Sequence, residues 1–184
     1  HIPFCRTICW YCGCNTGAAG HATRRAAYVD ALLQEIAMVS ARLEGRGQVA
    51  SIHFGGGSPN ALPVSEVARI VEALRGSFAG TDRAQLDMEL DPRGLDQAYI
   101  AELGTLGVQR VSLGVQTFAP HVQKAVNRVQ PYEMVAQSCA DFRAVGVQSI
   151  NFDLIYGLPH QSSTDIADTI KLALRIQPES FAVF

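Results

Sequence analysis

Three cysteines, Cys5, Cys9 and Cys12, stand with three and then two residues between them. Thiolates are soft ligands that suit iron–sulfur clusters and zinc. A cubane cluster has four irons, so three cysteines leave one iron open to a substrate or cofactor. Cys14 complicates the pattern, because with it the group could be a four-cysteine zinc site. Zinc ribbons, however, pair two short cysteine pairs across a longer spacer. Four cysteines within ten residues, with Trp10 and Tyr11 between them, match that layout poorly. Buried or redox-active thiols are a third reading.

Other residues could do chemistry. Gly55-Gly56-Gly57 follows a strand-like run, and glycines there let the backbone come close to a ligand or simply make a tight turn. A phosphate loop does not fit, since no Lys-Ser/Thr follows. Glu89 lies late in an otherwise apolar strand and, if buried, needs a strong partner, with Arg93 or Arg110 as the structural candidates. Gln116 and Asp153 end two further strands, where Asp153 could cap the following turn. Arg128 is either a ligand contact or a solvated helix charge. Cys139 falls in a helical pattern and reads as a small buried hydrophobe. His53 and His121 suggest no role.

These residues need elements to hold them. Helical spacing of apolar residues runs over 23–43, 65–78, 95–106, much of 120–145, and 164–176. Strand-like runs cover 49–54, 84–90, 108–115 and 147–155, with a last one beginning near Ser180. Gly107 and Gly146 read as helix stops. The result is a βα alternation of about 30 residues per unit, as parallel strands with crossover helices require. A doubly wound sheet and a βα barrel both fit. In either, the C-terminal strand ends face the active site. Gly55 to Ser58, Glu89, Asp91, Gln116 and Asp153 all fall there. The cysteine loop joins the same rim if His1 to Phe4 ends the first strand.

The chain of 184 residues is long enough for one well-buried domain and short for two. A net charge of −2 argues against nucleic acid or an anionic membrane as partner. The apolar runs are too short to span a bilayer. Four of five cysteines crowd into the first fourteen residues, unlike a disulfide framework, and favour a metal site in a reducing compartment. Both ends fall inside strand-like runs, so residues 1–184 read as the core domain of a longer protein, cut at both ends.

The pattern Cys5-x3-Cys9-x-Tyr11-Cys12 resembles the signature of the radical S-adenosylmethionine (SAM) superfamily. The resemblance implies a partial (βα)6 barrel, a [4Fe–4S] cluster on Cys5, Cys9 and Cys12, and SAM chelated at the open iron with Tyr11 packed against it. Reductive cleavage of SAM then gives a 5′-deoxyadenosyl radical. Cys14 is not expected to ligate.

Further segments resemble the oxygen-independent coproporphyrinogen III oxidase family. They are His1–Cys5, Cys12–Asn15, His53–Pro59, Glu89–Arg93, Gly114–Phe118, Val126–Gln130 and Asn151–Pro159. Haem-chaperone-like paralogues differ at Cys12–Asn15, Glu89–Arg93 and Asn127–Gln130, and remain the alternative. The resemblance implies oxidative decarboxylation of two propionates of coproporphyrinogen III to vinyl groups, giving protoporphyrinogen IX. It implies two SAM molecules. Gly56, Gly57 and Glu89 hold the first, Ser58 lies near the second, and Gln116, Arg128 and Asp153 contact the second. A monomer in the cytoplasm is expected, reduced by a flavodoxin or ferredoxin.

Overall fold

The computed structural model describes all residues, 1–184. Its elements alternate as the spacing predicts. Short strands β1 (Phe4–Cys5) and β2 (Gly17–Ala18) flank the cysteine loop and pair with each other in parallel. Then follow α1 (Ala22–Leu43), β3 (Ser51–Phe54), α2 (Val64–Ser77), β4 (Gln85–Leu90), α3 (Gln97–Thr105) and β5 (Arg110–Gln116). The chain continues through α4 (Pro120–Ala125), α5 (Tyr132–Ala144), β6 (Ser149–Leu154), α6 (Ser163–Ile176) and β7 (Ser180–Val183). Several helix boundaries have a local cause. Ser162 and Asp165 form a reciprocal capping box at α6. The Asp96 side chain caps α3. Gly107 and Gly146 adopt positive φ just past α3 and α5.

One expected helical region is two. Between α4 and α5 the chain opens at Val126–Pro131, where Asn127 has φ 56° and Pro131 restarts the helix. Arg128 lies in this opening.

Strands β3 to β7 form one parallel sheet in sequence order. The start of the chain adds a sixth segment beside β3. Ile2 bridges Gly56 in parallel, and the ladder runs from Ile2 N–H to Gly55 O, from Gly57 N–H to Ile2 O and from Ser58 N–H to Phe4 O, each 2.8 Å. The glycine run is therefore a strand continuation. A Cβ on Gly57 would lie 2.7 Å from the Phe4 carbonyl, so glycine lets the first segment approach.

Alternation along the strands sorts the two faces. Ile52, Phe54, Leu86, Met88, Leu90, Val111, Leu113, Val115, Ile150, Phe152 and Leu154 are buried. They pack with Val67, Ile70, Ile100, Leu103, Val135, Phe142 and Ala173 of the helices in one core. The opposite, concave face carries His53, Asp87, Glu89, Ser112, Asn151 and Asp153. Such a sheet, apolar outside and polar within, is the wall of a partial βα barrel. Cys139 is fully buried in the core, and burial pushes its thiol up to about 12.

Candidate active site

A cavity of about 150 Å³ opens at the C-terminal ends of the strands. Its wall includes Cys5, Cys9, Tyr11, Cys12, Cys14, Gly56, Gly57, Ser58, Glu89, Asp91, Ser112, Gly114, Gln116, Arg128 and Asp153. Every residue singled out for cofactor binding in the sequence borders this one space. No three of the His, Cys, Asp and Glu side chains converge as a mononuclear metal site requires.

The cysteine loop is tied to the opening after α4. The Trp10 N–H donates to Val126 O at 3.1 Å, and Asn127 Nδ2 donates to Ile8 O at 2.9 Å. Cys9 is buried while Cys12 and Cys14 are exposed. Tyr11 leans on the small apolar cluster of Ala119, Val122, Val126 and Leu158, and burial pushes its hydroxyl well above the usual tyrosine range.

Arg128 is no solvated helix charge. Only 9% of its side chain is exposed. Nε donates to Gly114 O at 3.1 Å, Nη2 to the same carbonyl, and Nη1 to Cys9 Sγ and Asp91 Oδ2, both at 3.3 Å. Its donors are thus directed into the protein. Gly114 leaves room for it, since a Cβ there would lie 2.7 Å from Arg128 Nη2 and displace the guanidinium.

Glu89 differs from its expected setting. It is not buried: about half of its side chain is exposed to the cavity. Neither Arg93 nor Arg110 pairs with it. Those arginines bind Asp91 and Asp87, and Glu89 Oε1 instead lies 3.2 Å from His53 Nε2. His53, which suggested no role in the sequence, is thus the side-chain partner of Glu89. Ser58 is buried, with its hydroxyl donating to Asn60 Oδ1 and accepting from the Asp91 N–H.

Asp153 does not cap the turn after β6. Its carboxylate accepts from Ser112 Oγ at 2.9 Å and Asn151 Nδ2 at 2.8 Å. Burial and the nearby charge of Glu89 still hold its carboxyl above the usual range, against those hydrogen bonds and the charge of Arg128. Asp91 has the opposite balance. Burial acts to raise it, but the hydrogen bond from Arg93 and the charges of Arg128 and Arg93 outweigh burial and hold it below the usual range.

Gln116 is the most irregular residue of the wall. It sits at a register shift in β5 with φ 63°, a conformation uncommon outside glycine. Its buried Oε1 has no hydrogen-bond partner. A buried orphan acceptor bordering a cavity fits a ligand that brings a donor. Together with three soft thiols and two carboxylates, it makes the donor set chemically suited to an iron–sulfur cluster and a cationic cofactor such as SAM.

The family model of the radical SAM superfamily matches residues 1–173, and the chain belongs to that superfamily. Membership implies a [4Fe–4S] cluster and SAM in general. The chain is 42% identical over its whole length to an oxygen-independent coproporphyrinogen III oxidase of Bradyrhizobium diazoefficiens, covering 41% of that protein. It is 36% identical to the enzyme of the same name from Synechocystis, covering all of this chain and 40% of the relative. The structure of coproporphyrinogen III oxidase from Escherichia coli, described as a radical SAM enzyme, superposes on the whole chain with a TM-score of 0.95 at 36% identity, over 42% of its own length. A radical SAM methyltransferase from Kitasatospora setae shares the fold over 97% of this chain and 34% of its own, with a TM-score of 0.73 at 14% identity. The chain spans about two-fifths of the length of the curated relatives. No helix is long and apolar enough to cross a membrane.

Proposed function

We propose that residues 1–184 are the radical SAM core domain of an oxygen-independent coproporphyrinogen III oxidase, which decarboxylates two propionates of the porphyrinogen to vinyl groups and yields protoporphyrinogen IX. Cys5, Cys9 and Cys12 hold the cluster, and Cys14 does not ligate. The observation that carries this reading is the convergence of the three thiols with Glu89, Asp153 and the unpartnered Gln116 acceptor on one cavity. Full-length similarity of the chain to several coproporphyrinogen III oxidases supports the substrate.

When bound, the cluster supplies an electron and SAM supplies the deoxyadenosyl group that takes hydrogen from the substrate. The chain's own residues bind and orient. Tyr11 walls the site on one side, and the backbone of Gly56 and Gly57 on another. Glu89, paired with His53, accepts hydrogen bonds from the first SAM. Two SAM molecules are expected. Gln116, Arg128 and Asp153 face the second, near Ser58, with Asp153 offsetting its positive charge. For Arg128 to bind a carboxylate, it must exchange part of its present hold on Gly114, Cys9 and Asp91. The electron donor is a flavodoxin or ferredoxin, and the protein works as a cytoplasmic monomer.

The test is anaerobic reconstitution of the full-length protein with iron and sulfide, then incubation with reductant, SAM and coproporphyrinogen III. Deoxyadenosine and a vinyl-bearing product, both lost in Cys9→Ala, support the proposal. SAM cleavage with the porphyrinogen untouched overturns the substrate. Haem binding without turnover supports a haem chaperone instead. Zinc without acid-labile sulfide overturns the whole reading.

A further inference from the structure

A buried charge network surrounds Cys9 and extends beyond the cofactor cavity. The Cys9 sulfur receives Arg93 Nη2 at 3.4 Å and Arg128 Nη1 at 3.3 Å. Asp91 sits between the two arginines. It accepts from Arg93 Nε at 3.0 and 3.1 Å, from Arg93 Nη2 at 2.6 Å and from Arg128 Nη1 at 3.3 Å. The remaining edge of Arg93 donates through Nη1 to Asn127 O at 3.2 Å.

Arg93 is therefore gripped on two sides and aims its third at sulfur. Its side chain is 16% exposed, so solvent screens the contact little. It also differs from Arg128 in position. Arg128 borders the cavity assigned to SAM, whereas Arg93 does not and instead borders an adjoining recess, with Arg6, Asn60 and Gly94, that shares Ser58 and Asp91 with that cavity. Arg93 thus reaches Cys9 from behind the lining of that cavity.

We infer that Arg93, oriented by Asp91, is a positioning residue for the cluster. It donates an N–H···S hydrogen bond to the ligand sulfur of Cys9 and raises the cluster's reduction potential. The inference rests on Cys9 being a cluster ligand. The physical reason is simple. One-electron reduction adds negative charge that spreads onto the ligand sulfurs, and a fixed cation with an N–H aimed at one of them stabilises the reduced form. Asp91 supplies the orientation, since a planar guanidinium held by a carboxylate fork loses its rotational freedom.

The experiment is a redox titration of the anaerobically reconstituted full-length protein, without SAM, followed by the paramagnetic signal of the reduced cluster. Iron and sulfide content is measured first for wild type, Arg93→Gln and Arg93→Lys. The expected result is unchanged iron content with a lower midpoint in Arg93→Gln. At the wild-type midpoint, its reduced-to-oxidised ratio falls about tenfold, or 59 mV for a one-electron couple. Arg93→Lys, which keeps the charge but not the fork, shifts less in the same direction. A loaded Arg93→Gln cluster with the wild-type midpoint overturns the inference. If Arg93→Gln takes up no cluster, Arg93→Lys decides, and an unshifted midpoint there overturns it equally. A wild-type protein that binds no iron and sulfide removes the ligand assignment itself, which is a distinguishable failure.

Discussion

Arg128 spans from the Gly114 carbonyl of β5 to the sulfur of Cys9, which lies 119 residues before Arg128 in the chain. The link is buried and paired with Asp91. Asp91 keeps Arg93 when Arg128 is removed, so the cost lies below the roughly 3–5 kcal/mol of a fully broken buried pair and comes largely from the lost donors to the Gly114 carbonyl. Arg128→Met is accordingly expected to lower the unfolding free energy of the full-length apoprotein by about 2 kcal/mol in denaturant titrations. Arg128→Lys recovers less than half, because a single ammonium on a flexible stem does not replace a planar fork. A loss below about 1 kcal/mol in Arg128→Met, the size of an exposed pair, counts against the network.

Asp91 and Asp153 border one cavity but respond to pH with opposite signs. Asp91 titrates below its ordinary value of 3.8. Its stabilisation is present above that value and is lost as pH falls through the lower folded pKa. Asp153 titrates above 3.8. Between its unfolded and folded values the native state keeps a proton that the unfolded state has lost, so its contribution falls as pH rises. Unfolding measured from pH 3 to 7 should therefore show Asp91→Asn less stable than wild type at pH 7, with the gap closing in acid. Asp153→Asn should be more stable at pH 7 and converge with wild type toward pH 3. The same sign in both variants contradicts the electrostatic account.

The βα alternation was legible because apolar residues repeat at helical spacing and the strands end at Gly, Asp-Pro or polar residues. The cysteine loop and the strand-end polar residues were legible for the same reason, since each breaks a pattern. Partnerships were not. Glu89 pairs with His53, not with Arg93 or Arg110, because the pair lies on the concave face of neighbouring strands and register is absent from a linear sequence. Ser112 and Asn151, which hold Asp153, were missed although the period-two alternation of Arg110–Gln116 and Ser149–Leu154 carried the signal. The break between α4 and α5 was missed because apolar spacing continues across it. Only Asn127 at positive φ and Pro131 mark it.

The close approach of the first segment to Gly57 gives a third test. A Cβ on Gly57 would lie 2.3 Å from Thr16 Oγ1, and 2.7 and 2.9 Å from the Phe4 backbone. Thr16 can rotate, but the backbone of Phe4 is held in the ladder through the Ser58 N–H. Gly57→Ala is expected to destabilise the protein by about 1–3 kcal/mol, the usual cost of overpacking. It should also displace Cys5, the next residue after Phe4. Anaerobic reconstitution should then give less iron per chain than wild type, whereas Gly76→Ala, with open space around its Cβ, leaves iron content unchanged. Equal loading of the two variants removes the argument.

Gln116 joins two costs at one position. A left-handed conformation at a non-glycine residue costs about 1–2 kcal/mol, and a buried acceptor without a donor adds a further penalty of about 1–3 kcal/mol. Strain of this kind persists where the surrounding structure fixes it, commonly at ligand sites. Gln116→Gly removes both costs and adds about 0.5–1 kcal/mol of backbone entropy loss. The full-length variant should therefore be at least as stable as wild type in thermal or denaturant unfolding. It should also bind SAM about tenfold more weakly in equilibrium dialysis, since one hydrogen bond to a charged ligand is worth about 1.5 kcal/mol. A variant that loses both stability and affinity makes Gln116 an ordinary structural residue. One that gains stability with unchanged affinity keeps the strain but removes the contact. Only stability kept and affinity lost identifies a residue held in an unfavourable conformation for the sake of its ligand.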